Sequence, residues 1–278
     1  MTTTTTHSDL SALDAPYDLT DDQICQFRED GFIKLKDVFD SETLAHFGEI
    51  ITRLTMDIGA KQADVPLAER GTYRKAFIQV GNLWQHDAEA KAFSCSRRLA
   101  KLASDLMGVD GVRMYHDQAL YKEAGGGFTP WHVDQQYWPI DSPNTITAWI
   151  PLQATPIEMG PLEFGRGSHV KNIGRELAIS DESEQKIRDA VKANGVVSSF
   201  EPYDAGEISF HYGWTLHRAG PNTSDAPRKV HTVIYVDKDA TVANPKNQNQ
   251  ENDRNHWLSS ADVGTIPTGP LNPVLFAR

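Results

Sequence analysis

His132-Val133-Asp134 sets an imidazole and a carboxylate two residues apart. On an extended chain such residues share a face, so both side chains can reach one point. That supplies two legs of a 2-His-1-carboxylate facial triad, the open-sided site of non-haem Fe(II) oxygenases. His-x-Asp alone is a weak signal in a chain with ten histidines. The third leg must come from far off in sequence. His217, 85 residues beyond His132, stands just before the turn residues Gly220-Pro221-Asn222. Eleven residues later Arg228 opens a β-branched strand, where a guanidinium can hold a carboxylate bidentately at a fixed distance from a metal. The adjacent pairs His86-Asp87 and His116-Asp117 lack this geometry, because strand neighbours point to opposite faces. His169 reads as structural, and His211 and His231 as packing or surface residues.

The elements that must position these groups fall into two stretches. Residues 1–16 are polar and low in complexity and are expected to be a disordered tail, leaving 17–278 as one domain. Thr20 and Gln23 form a capping box for a short helix that carries Ile24 and Phe27 and stops at Gly31. Phe32 to Val38 reads as a strand. A second helix from Asp40 or Ser41 carries Leu44, Phe47, Ile51, Leu54 and Ile58, and a third runs from Ser96 to Met107. Between them, residues 61–87 read as a loop holding Tyr73, Phe77 and Trp84. After Gly111 the pattern changes to short strands punctuated by Gly, Pro, Asn and Asp: 112–121, 145–152, 160–164, 206–212 and 228–236. One helix, 181–193, interrupts them, and 239–255 reads as an exposed polar loop. This is a mainly β fold of sandwich or barrel type, with helices packed against it.

Composition limits what such a site can serve. The 278 residues carry 27 Lys and Arg against 38 Asp and Glu, a net charge of −11, so a nucleic-acid partner is not expected. No apolar run is long enough to span a bilayer, and the threonine-rich start lacks the pattern of a secretory signal, so no membrane partner is expected. Two cysteines, Cys25 and Cys95, fit a reducing compartment and are expected as inert buried thiols. A cytoplasmic location is the expectation.

Taken with their flanking segments, these residues resemble the phytanoyl-CoA dioxygenase family of Fe(II)/2-oxoglutarate oxygenases. The resemblance rests on Trp131-His132-Val133-Asp134, Gly160-Pro161-Leu162-Glu163-Phe164, Gly167-Ser168-His169, His217-Arg218-Ala219-Gly220-Pro221-Asn222 and Pro227-Arg228, and extends from about Leu19 to Phe276. It departs from the family at Arg166, where proline is common. It implies a double-stranded β-helix, or jelly roll, with N-terminal helices against it. It further implies Fe(II) on His132, Asp134 and His217, 2-oxoglutarate anchored by Arg228, and O2 as co-reactant. Thr129, Thr147 and Trp149 fall where relatives line the cosubstrate pocket, and Trp138 where relatives wall the substrate site.

Tyr137, Trp84, Phe77, Arg74 and Trp214 are expected beside Trp138 as substrate contacts. The aromatic residues suit a compact metabolite, such as an intermediate of specialised metabolism, hydroxylated with release of succinate and CO2. Arg70, Arg74, Lys75 and Lys122 are too scattered to suit the phosphates of CoA. Two other readings stay open: acyl-CoA hydroxylation, and a catalytically silent jelly roll that binds a ligand. Retention of Asp134, which related halogenases replace with Gly or Ala, points away from halogenation.

Overall fold

The computed structural model describes residues 11–278, and of Tyr73 the backbone alone. The chain begins with a helical turn, α1 (Ser11–Asp14), followed by α2 (Asp21–Asp30). In α2 the Thr20 hydroxyl accepts from the Gln23 N–H, the Gln23 side chain accepts from the Thr20 N–H, and Gly31 closes the helix at φ 84°. Residues 11–15, expected within a disordered tail, are thus ordered against the domain. Leu13 is buried in the core, and Ser96 and Arg98 donate to the carbonyls of Leu13 and Ala15. Residues 1–10 lie outside the described residues.

Next come β1 (Phe32–Leu35), α3 (Ser41–Ala63), α4 (Thr72–Ala76), β2 (Ile78–Gly81), α5 (Ala88–Ser94), α6 (Arg97–Met107) and β3 (Gly111–Tyr121). Asp40 caps α3 by accepting from the Thr43 N–H at 2.7 Å. Leu44, Phe47, Ile51 and Leu54 are buried as their spacing implies, but Ile58 is exposed. The helix's later turns pack through Gly59 against Ile78 and Val80. The expected loop at 61–87 therefore contains a short helix and β2, which pairs with β3 from Ile78↔Tyr121 to Gly81↔Gln118. A three-residue alternation is too short to announce a strand; its partner makes it one.

The remaining elements are β4 (Thr129–His132), β5 (Thr145–Pro151), β6 (Leu162–Gly165), α7 (Asp181–Ala193), β7 (Ser198–Phe200), β8 (Ile208–Tyr212), β9 (His217–Ala219), β10 (Val230–Asp237), α8 (Gln248–Trp257) and β11 (Val274–Ala277). Helix α8 takes up the latter part of the stretch 239–255 expected as an exposed loop. Among the described residues the strands form two antiparallel sheets, seven-stranded β1-β8-β5-β10-β3-β11 with β2 also on β3, and four-stranded β4-β9-β6-β7. They make a jelly roll.

Strand alternation divides the larger sheet between core and site. On β5, Ile146, Ala148 and Ile150 join Phe27, Phe47, Leu99 and Leu106 of the helices in the main core. The intervening Thr147 and Trp149 face a cavity between the sheets. There Trp149 and Val230 pack with Leu162, Phe164 and Ala219 of the smaller sheet. Arg166 pairs with Asp30, tying the β6 turn to the end of α2. Cys25 is exposed rather than buried, whereas burial pushes the Cys95 thiol up to about 11. No helix among the described residues is long and apolar enough to cross a membrane.

Candidate active site

His132 ends β4 and His217 begins β9, and the two are register partners, which brings their ring centroids to 4.1 Å. The backbone stays extended through Val133, so Asp134 returns to the face that His132 uses. Asp134 Oδ1 lies 3.5 Å from the Nε2 atoms of both histidines. One donor atom from each of the three residues falls within 4.8 Å of the others. His132 Nδ1 lies 2.8 Å from the Pro130 carbonyl and His217 Nδ1 3.0 Å from that of Thr215. A ring nitrogen facing a carbonyl must carry the proton, which leaves Nε2 unprotonated and aimed at the shared point.

The protonation states suit a cation as well. Burial, with His132 close by, holds His217 well below its ordinary range, so it is neutral. Burial alone would raise Asp134, but His217 and hydrogen bonds from His132 and His211 hold it well below the ordinary carboxylate range. Neutral imidazole and ionised carboxylate are the forms a divalent metal requires.

His211 is the residue that sequence reasoning missed. It is buried, with Nε2 3.3 Å from Asp134 Oδ2, and Thr147 Oγ1 donates to that same oxygen at 3.1 Å. Thr147 and His211 are register partners across β5 and β8. They hold one carboxylate oxygen and leave Oδ1 toward the histidines. Only strand register exposes this pairing; no sequence spacing does. Behind β4, Glu184 of α7 accepts from the Trp131 N–H at 2.6 Å and fixes that strand.

Arg228 is almost fully buried on the wall of the same cavity. Its Nη1 donates to the Gly160 carbonyl, its guanidinium lies 5.4 Å from the Trp149 ring centroid, and Nε has no partner among the described residues. Thr129 Oγ1, also buried on this wall, has none either. Burial lowers Arg228 only to about 10, so it stays charged near neutrality. A buried guanidinium and hydroxyl with unused donors, near a three-ligand cluster, fit a dicarboxylate that chelates a metal. Beside Arg228, burial and the guanidinium push Lys122 down to about 6, and its Nζ donates to the Gly127 and Gly220 carbonyls.

Gly160 supports this arrangement from behind. It sits at φ 68°, and a Cβ there would lie 2.3 Å from the Gly220 carbonyl oxygen. Gly160→Ala should destabilise the fold by about 2–4 kcal/mol in denaturant unfolding and displace the carbonyl to which Arg228 donates. Unchanged unfolding midpoints would contradict this.

The cavity holds about 490 Å³. Phe77, Tyr137 and Trp138 line it as expected contacts, and the Tyr137 hydroxyl accepts from the Ile179 N–H. Arg74, Trp84 and Trp214 do not line it. Arg74 is exposed on α4. Trp84 is buried in the main core behind β3, its indole N–H donating to Asn82. Trp214 packs beside Leu216 and Ile187, with Arg175 over its ring. An aromatic near a motif in sequence carries no information about which side of the sheet it occupies.

Comparison with known proteins places this geometry. The family model for phytanoyl-CoA dioxygenase matches residues 27–230. A probable alpha-ketoglutarate-dependent hypophosphite dioxygenase of Stutzerimonas stutzeri is 20% identical over 77% of this chain and 78% of its own. The carbocyclase SnoK from nogalamycin biosynthesis superposes with a TM-score of 0.76 at 24% identity, over 94% of this chain and all of that one. EctD from S. alaskensis, solved with 2-oxoglutarate and 5-hydroxyectoine, gives a TM-score of 0.69 at 20% identity, covering 91% and 89%. These structural likenesses establish the jelly roll. The chain belongs to the phytanoyl-CoA dioxygenase family and is an Fe(II)/2-oxoglutarate-dependent dioxygenase.

Proposed function

We propose that His132, Asp134 and His217 bind Fe(II), that Arg228 holds the far carboxylate of 2-oxoglutarate, and that the enzyme hydroxylates an unactivated C–H of a small metabolite without CoA. The observation that carries this is one cavity lined by the three candidate ligands, Arg228 and Thr129 together. When bound, iron with 2-oxoglutarate and O2 supplies the oxidant for the C–H bond, with succinate and CO2 released. The chain's own residues do the rest. Backbone carbonyls orient the two imidazoles, Thr147 and His211 orient Asp134, and Arg228 with Thr129 orients the cosubstrate. Trp149 and the buried walls keep water from the reacting centre.

The cavity's chemistry supports the substrate class. Among the described residues Arg228 is the one Lys or Arg on its wall. Arg70 is buried and paired with Glu123, Lys122 is held by backbone carbonyls, and Arg74 and Lys75 lie off the wall. Nothing there is free to meet the phosphates of an acyl-CoA. The 5-hydroxyectoine bound in the EctD structure is in keeping with a compact ligand. Succinate release should therefore rise with free amines, aromatic metabolites or small acids and not with CoA thioesters. Stimulation by thioesters alone would return acyl-CoA hydroxylation to the lead, and no binding of 2-oxoglutarate would favour the silent binder.

Asp134 also bears on product type. It fills the coordination position with a charged oxygen, so a halide meets neither room nor favourable charge. Turnover in chloride should yield a hydroxylated product free of halogen by mass spectrometry, and a chlorinated product would refute the assignment.

A further inference from the structure

Helix α8 turns one face to the cavity. Asn249, Asp253 and Trp257, spaced four residues apart, all line it. Among the described residues Asp253 is the one carboxyl on that wall apart from Asp134. Its Oδ2 accepts from the Tyr115 hydroxyl at 2.9 Å, and the Trp257 side chain bonds the same carboxyl. These donors fix its direction but bring no charge. The nearest cation in sequence, Arg254, is turned to Glu251 and to the Ala261 carbonyl. Burial pushes the Asp253 carboxyl up to about 7, the behaviour of an anion desolvated without a cation beside it.

Its surroundings select for positive charge. Phe77, Tyr137, Trp138 and Trp257 share the cavity wall, and aromatic faces attract cations. Asp253 and the cavity's own cation are tied to different places along β3. Arg228 bridges to Lys122 at one end of β3, while Tyr115, which holds Asp253, lies seven residues along that strand. No cation among the described residues acts on Asp253.

We propose that Asp253 receives a protonated amine of the substrate, flanked by Tyr137 and Trp138, so that the metabolite oxidised is an amine; this rests on reading the cavity as the substrate site. The ammonium donates to the carboxylate, and the aromatic walls cover its carbon frame.

The test uses the full chain with Fe(II) and 2-oxoglutarate under anaerobic conditions, so that nothing turns over. Tryptophan fluorescence, to which Trp138 and Trp257 on the wall contribute, is titrated with 2-phenylethylamine, 2-phenylethanol and 3-phenylpropionate. The amine should bind at least about tenfold tighter than the alcohol or the acid, as expected for a desolvated charge pair. Asp253→Asn keeps an oxygen to accept from Tyr115. It should erase the amine's advantage while leaving the alcohol's affinity unchanged, and Asp253→Glu should keep part of it. Equal binding of amine and alcohol, an amine preference that survives Asp253→Asn, or no response to the amine would overturn the proposal. The visible band of the Fe(II)–2-oxoglutarate complex, recorded on the same sample, reports the metal site separately. Its presence without amine selectivity would sink this inference alone.

Discussion

His217→Ala should abolish turnover and lower Fe(II) affinity by more than about a hundredfold, since loss of an outer partner alone costs 10–100-fold. The reasoning is geometric. His217 Nε2 and His132 Nε2 both lie 3.5 Å from Asp134 Oδ1, so among the described residues the site has three donors and no spare. His211, the one other histidine at Asp134, contacts Oδ2, the oxygen already held by Thr147. It cannot take over without dismantling that support. The fold should survive, because β9 is held to β4 and β6 by backbone bonds and the main core lies on the sheet's other face. Iron content, the anaerobic visible band and circular dichroism measure the three claims. Asp134→Ala should behave alike, and His211→Ala should lose only about 10–100-fold in affinity. Full iron loading with hydroxylation in either ligand variant would remove the triad assignment.

The second large effect is expected at Arg228. Arg228→Lys should raise the 2-oxoglutarate requirement about 10–100-fold and leave the KM of the prime substrate nearly unchanged. Lysine loses the fork: one nitrogen cannot serve the Gly160 carbonyl and a carboxylate together, as Nη1 and the unpartnered Nε can. It also sets a second buried ammonium beside Lys122, which burial already pushes down to about 6. Two such neighbours shed a proton more readily, which weakens the grip on an anion further. Steady-state titration of both substrates separates the cases. Equal rises in both constants would indicate a general folding defect instead.

The two halves of this site differ in how much the sequence reveals. His132 and Asp134 were legible because a strand's period of two survives into the folded chain as far as Val133. His217 was legible from its turn. The helices α2, α3 and α6 announced themselves through the caps Thr20, Asp40 and Ser96, whose bonds form within the helix's own first turn. Helix α8 did not. Its residues are polar apart from Trp257, its Asn247 cap stands unmarked in an Asn/Gln-rich run, and the rest of its support is tertiary: Gln250 buried against the Gln136 carbonyl and Trp257 stacked 4.2 Å from His116. His211 was hidden for a related reason, since its contact with Asp134 depends on the β5–β8 register. Trp84, expected on the cavity from the 61–87 stretch, and Trp214, expected there from its place near His217, instead pack in clusters away from it, because an aromatic side chain fits a core as well as a pocket.

Helix α8 follows β10, the last long strand of the seven-stranded sheet, and reaches the cavity only with side chains. The proposed iron ligands and Arg228 all lie on earlier segments that end before it begins. On the proposed site, the cavity-facing residues Asn249, Asp253 and Trp257 can therefore change without touching the oxidation chemistry. Exchanging this segment between homologues, with Asn247 and Gln250 kept as anchors, is a direct route to enzymes of altered substrate range.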